Sequence, residues 1–367
     1  MTSRPESFFA ADYYEARDMF LAAADLVGAR ISSVKHPKAK GPQGRDIFMD
    51  CAVLGHTDAP HAVVVISGTH GPEGYCGSGV QVGLVRDGLA QEWAKSMRVI
   101  FIHAHNAYGF AWDTRFNEDN IDLNRNYLES FDAPLPVNDN YSLLAQWAAP
   151  HLRDGDTVQD AERGLFGFAA EHGFPALQSA LSGGQYTHPK GVYYGGAEPS
   201  WSNITLHNFL AQTCAGTTKV VSVDMHTGLG PFGHGEIITE AAPASAHYQN
   251  QASIWGDEIC STKDGTSVSA DLFGTMDHAL VRAFAPAWSA CIALEFGTVD
   301  PMSVFRATQA SSWLHCYGAP ESPDAAAIRT DMRAAFYPET DAWKRLIWER
   351  SLDVIGKAAS FLATKAD

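Results

Sequence analysis

The chain has 367 residues, 46% hydrophobic and 19% charged, the balance of a globular protein with a large core. A formal net charge of −16 leaves no basic surplus to neutralise phosphates, which argues against a nucleic-acid partner. The six cysteines (Cys51, Cys76, Cys214, Cys260, Cys291 and Cys316) contain no CxxC pair, so neither a thiolate cluster nor a disulfide framework is expected.

The opening MTSRPESFFAADYYEARDMF lacks the basic and apolar regions of a signal peptide, and no apolar run is long enough to cross a bilayer. A cytoplasmic protein without membrane contact is therefore expected. Phe9, Tyr13, Met19, Phe20 and Leu21 among alanines and charges predict an amphipathic helix over Phe8–Leu26. Ala29–His36 and Asp46–Leu54 read as strands joined by a Lys/Gly/Pro-rich turn. Val63–Ser67 is a β-branched run suited to a buried parallel strand. The Ser-Gly-Thr that follows lets the chain turn out of the sheet before His70 and Glu73. Gly74–Asp87 then forms a helix, and Arg98–Ala104 a second apolar strand.

A long polar loop, HNAYGFAWDTRFNEDNIDLNRN, precedes a mainly helical stretch over Tyr141–Leu181, broken at Gly155, Gly164 and Gly173. Pro199–Cys214 is a further helix, with Ser200 or Ser202 as its cap. Lys219–Asp224 and Cys291–Phe296 are two more core strands, with a short strand at Glu236–Thr239 and a helix at Ser245–Ile259 between them. Ser303–Cys316 and Asp341–Ala363 close the chain as helices. Strands alternating with helices predict an α/β fold: a three-layer α/β/α sandwich around a mixed, largely parallel twisted sheet. A single domain over residues 1–367 is expected, with 132–215 as a helical insertion or subdomain.

Chemistry collects at the ends of the four core strands: His70 with Glu73, the Arg115 and Asp122–Asn126 loop, Asp224-Met225-His226, and Glu295. Open α/β sheets place ligands beyond the carboxyl ends of their strands. Two histidines and one carboxylate, leaving a fourth position open, are a recognised ligand set for catalytic zinc. A carboxylate inside an apolar strand, as Glu295 is, needs a partner or a function, because desolvating its charge costs several kcal/mol. Such a group beside a metal can move the proton of a bound water, and nearby arginines can hold an oxyanion or clamp a carboxylate.

The order HGPEG, DLNRN, DMHTG, ALEFG resembles the zinc carboxypeptidase superfamily, including its aspartoacylase and succinylglutamate desuccinylase branch. NAYGFAWDTRFNEDNIDLNRNY and FYPETDAWKR resemble a bacterial, largely uncharacterised branch, so that the likeness covers most of the chain. The resemblance implies one Zn²⁺ per chain held by His70, Glu73 and His226, with Glu295 as general acid/base. It implies that Arg115 polarises the scissile carbonyl, that Asn124 and Arg125 bind a substrate carboxylate, and that Asp122 supports His70 from behind.

The expected activity is a zinc-dependent hydrolysis of an amide next to a free carboxylate, as in a carboxypeptidase acting on a small peptide. An N-acyl amino acid deacylase is the alternative, and a non-catalytic binding protein on the same fold a remote one. A homo-oligomer remains open. Tyr193, Tyr194 and Tyr248 are candidates for a tyrosine lining the site, and His234 for a pocket wall. His103 and His105 read as ordinary buried histidines, and Cys76 as a small core residue.

Overall fold

The computed structural model describes residues 4–320 and 322–364. Its sheet contains β1 (Arg30–Lys35), β2 (Phe48–Leu54), β3 (His61–Ile66), β4 (Arg98–His103), β5 (Lys219–Phe232), β6 (Gly235–Thr239), β7 (Ile259–Ser261) and β8 (Trp288–Gly297). They lie in the order β1-β2-β4-β3-β5-β8-β6-β7. The central β4-β3-β5-β8 pairs are parallel, whereas β1-β2, β2-β4 and β8-β6 are antiparallel. The fold is α/β with a mixed, largely parallel sheet, as expected.

The continuous apolar runs follow from burial on both faces. In β3, Val63 and Val65 enter a core shared with helices Tyr13–Leu26, Gly74–Arg86 and Asp341–Thr364, while Ala62, Val64 and Ile66 face helices Trp201–Thr213 and Met276–Phe284. β5 uses the same alternation for a different end. Val221, Val223 and Met225 fill the first core, which turns Asp224 and His226 to the opposite face. His226 pairs in register with Glu295, so both side chains emerge side by side on that face.

Some boundaries differ from expectation. The stretch 132–215 holds helices Asp139–Ala148, Gly155–His172 and Phe174–Ser182, which pack on one another and on Phe116, Val192, Tyr193 and Phe305. A fourth helix in that stretch, Trp201–Thr213, packs against the sheet through Leu206, Phe209 and Leu210. The helix passes through Gly164 without a break, and the Trp147 ring packs over that position, 2.2 Å from where a Cβ would stand. Ile259 begins an edge strand rather than ending a helix. Among the described residues no helix is long and apolar enough to cross a membrane.

Two glycines set how β3 leads into the site. Gly68 turns out of the strand at φ +74°. Gly71, between His70 and Glu73, abuts backbone: a Cβ there would lie 2.1 Å from the Gly109 carbonyl and 2.2 Å from that of Thr114. Gly71→Ala is therefore expected to destabilise the fold by about 1–3 kcal/mol, since the loop or its neighbour must move. Equilibrium denaturation should detect the loss, and an unchanged midpoint would show that the loop accommodates a methyl group.

Candidate active site

His70 and Glu73 leave the loop after β3 at the start of helix Gly74–Arg86, and His226 and Glu295 stand on β5 and β8. The structure brings all four together in the wall of one cavity of about 690 Å³, with Arg115, Asn124 and Arg125. The donor atoms of His70, Glu73 and His226 all lie within 4.8 Å of one another. Each histidine turns Nδ1 towards Glu73, at 2.9 Å for His70 and 3.1 Å for His226. Their Nε2 atoms turn away, His70 to Asp122 at 2.9 Å and His226 to Asp224. A carboxylate that accepts from Nε2–H fixes the tautomer whose Nδ1 lone pair is available to a metal. The residues present therefore fit a divalent cation at the point where the two Nδ1 atoms and Glu73 converge.

Asp122 ties the site together. Its Oδ1 accepts from His70 and from the Asn124 backbone N–H at 3.0 Å, and its Oδ2 accepts from Arg115 Nε at 2.8 Å. One buried carboxylate thus positions a ligand candidate, an arginine and the turn that carries Asn124 and Arg125. Arg115 also reaches Glu73 at 3.4 Å. Arg125 is fixed from the helical segment: its Nε and Nη2 donate to the Ser182 carbonyl at 3.0 and 2.6 Å, and its Nη1 to the Asn124 carbonyl at 2.7 Å. A guanidinium carries five N–H donors, so some remain for a ligand. Asn124 accepts from the Met276 backbone N–H at 2.9 Å.

The electrostatics follow from burial against charge. Burial alone would raise Glu73, but the imidazoles of His70 and His226 hold it well below the usual carboxylate range. Burial likewise opposes ionisation of Asp122, and Arg115, then His70, pull it well below its ordinary value. Burial opposes charge on His226, yet Asp224 and Glu73 outweigh it and raise its proton affinity strongly. The carboxylates that favour a proton there would also favour a bound cation. Glu295 goes the other way: burial, reinforced by the charge of Glu73, pushes it up to about 7. Two carboxyl groups in one site thereby acquire different roles. Glu295 accepts from the Leu229 N–H at 2.9 Å, across a break in register that begins after Thr227 in the Gly-rich end of β5.

Of the tyrosine candidates, Tyr193 lines the cavity, its ring 5.3 Å from the Arg115 guanidinium and 5.8 Å from that of Arg125. Tyr194 packs with Ile121 and Leu123, and Tyr248 lies against the opposite core. His234 is exposed and outside the cavity wall. The sequence reading gave Asp224 and His105 no role, but both support the centre. Thr69 donates to Asp224 at 2.8 Å and lies 3.2 Å from His105 Nδ1, and the His105 Nε2 is 2.7 Å from the Tyr127 hydroxyl. The DMH spacing was the available signal, since alternate residues of a strand share a face. Asp224→Asn is expected to weaken metal affinity 10- to 100-fold, roughly, in a competitive chelator titration. Unchanged affinity would reduce Asp224 to a packing role.

The fold defines a class, the carboxypeptidase-like α/β proteins. Bovine thrombin-activatable fibrinolysis inhibitor, solved with a tick carboxypeptidase inhibitor, superposes with a TM-score of 0.50 at 11% identity, covering 99% of this chain and 100% of that one. Carboxypeptidase A from Helicoverpa armigera (TM-score 0.42, 13% identity, 89% and 74% covered) and succinylglutamate desuccinylase from Chromobacterium violaceum (0.38, 16%, 83% and 74%) are more distant in shape. The chain belongs to the family described as "Protein of unknown function (DUF2817)", which matches residues 9–350. No curated protein sequence matches it.

Proposed function

We propose that the protein is a zinc-dependent hydrolase that cleaves an amide bond next to a free carboxylate, in the manner of a carboxypeptidase. The observation that carries this reading is the convergence of His70 Nδ1, His226 Nδ1 and Glu73 beside a separate, proton-holding Glu295. His70, Glu73 and His226 would hold the metal. Zinc at such a site supplies Lewis acidity, polarising a carbonyl and acidifying bound water.

The chain's own residues account for the other requirements. Arg125 and Asn124, on the turn anchored by Asp122, bind the substrate carboxylate and set which amide enters the site. Arg115, charged despite burial because Asp122 and Glu73 surround it, stabilises negative charge developing on the amide oxygen. Glu295 takes a proton from the attacking water at Oε and returns it to the leaving nitrogen. Tyr193, Phe305 and Phe336 wall the cavity and limit water around the reacting groups.

The reading is tested by rates on blocked peptides of increasing length and on N-acyl amino acids with the same final residue. Peptides are expected to be cleaved at their C-terminal bond with the higher kcat/KM. Faster cleavage of the short acyl compounds would assign the protein to deacylation instead. Tight binding of either without turnover would favour a binding protein.

A further inference from the structure

The cavity does not end at the candidate metal centre. It continues along the sheet face through Ala293 of β8 and Ile238 of β6 to Glu240, which the reaction proposed above leaves without a role. Glu236 pairs with Glu295, and Glu240 follows the end of β6 at Thr239, further along the wall of the same cavity. Glu240 is 6% exposed. Its Oε2 accepts from the Thr262 hydroxyl at 3.0 Å, and Arg125 acts on it through space, with guanidinium donors turned to backbone carbonyls. Asp277, which accepts from the Glu240 N–H at 3.1 Å, and Asp271 add negative charge to the same end. Burial first, and Asp277 second, push Glu240 up to about 7.

The cavity is therefore polarised. The guanidiniums of Arg115 and Arg125 and the carboxyl of Glu240 line the one cavity, with Leu181, Ile238, Val268 and Leu272 beside them in its wall. We infer that Glu240 selects substrates whose carboxylate-bearing residue has a long cationic side chain, lysine- or arginine-like, by pairing with that cation inside the cavity. This rests on the reading of Arg125 as the carboxylate clamp. With the carboxylate held there, a four-carbon ammonium stem would lay its methylenes along the apolar wall and deliver its charge to Glu240. A cation arriving at a buried carboxyl favours its ionised form, and the pair then forms a charge-assisted hydrogen bond. An uncharged apolar side chain would leave Glu240 buried without a countercharge, and an acidic one would meet like charge.

The test is a matched substrate series differing only in the final residue: lysine, arginine, norleucine and glutamate. Lysine and arginine are expected to exceed norleucine in kcat/KM by a factor on the order of 10–100, and Glu240→Gln should collapse that ratio. Norleucine cleaved as well as lysine by the wild-type protein would overturn the inference while leaving the proposed reaction intact. If no member of the series is cleaved, the reaction reading fails by itself, and calorimetry of wild-type protein with free L-lysine and L-norleucine decides the remaining question. Selective lysine binding that weakens in Glu240→Gln supports the inference. Equal binding of the two overturns it.

Discussion

Glu295→Gln is expected to keep its zinc and lose a factor on the order of 10²–10⁴ in kcat. Glutamine preserves the shape and can still accept from the Leu229 N–H, but it cannot accept the water's proton. Glu295 works as a base only when ionised, and burial with the neighbouring Glu73 charge pushes it up to about 7. The wild-type rate should therefore fall as pH drops through the neighbourhood of 7, and the variant should lack that limb. A cation on Glu73 offsets the second of those causes, so the limb of the loaded enzyme lies at or below about 7. Stability carries the same signature with its own sign. A folded-state value above the usual 4.5 favours the fold below 4.5, and that contribution is lost as pH rises through about 7. Chelator-treated Glu295→Gln should thus be more stable than chelator-treated wild type at pH 8, by on the order of a few kcal/mol, and not at pH 4. Near wild-type turnover in the variant would remove Glu295 from the mechanism.

The parts of the fold legible in the sequence were those in which one periodicity served one purpose. Val63–Ile66 and Val99–Ile102 lie between two apolar cores, so they read as unbroken apolar runs, and Val220–Val223 reads so but for Ser222. Helices Met276–Phe284 and Pro323–Phe336 were not anticipated: each is fixed by tertiary contacts of a few residues such as Met276, Leu280, Met332 and Phe336. The site was legible because its chemistry falls at strand ends in a fixed order, and Glu295 is conspicuous inside an apolar strand. Asp224 shares a strand face with His226 by the DMH spacing, but that spacing alone does not say that the carboxylate holds the imidazole. Glu240 sits in TEAAP, where nothing in the local pattern marks a carboxylate as buried; only the folded path just past the end of β6 brings it to the cavity wall. Position in the folded chain, not residue type, was the missing information.

His70→Ala is expected to abolish stoichiometric zinc, with about one ion per chain in wild type and little in the variant by elemental analysis. Charge balance makes this loss severe. Buried Glu73, Asp122 and Asp224, with half-buried Glu295 beside them, crowd one cluster against the guanidiniums of Arg115 and Arg125 and the proton that His226 holds. Without a metal, protons are the remaining compensation, which is why His226 binds its proton strongly and Glu295 resists losing its own. A divalent cation replaces them, so zinc binding should release protons, and its measured enthalpy should vary with the ionisation enthalpy of the buffer. Binding should also raise thermal stability, by about 4 kcal/mol at a thousandfold excess over Kd, and His70→Ala should show neither effect. If chelator-treated wild-type protein shows no zinc-dependent shift in melting temperature and no proton release, the convergence of the two Nδ1 atoms on Glu73 is a structural salt-bridge cluster. The hydrolase reading would then lose its central element.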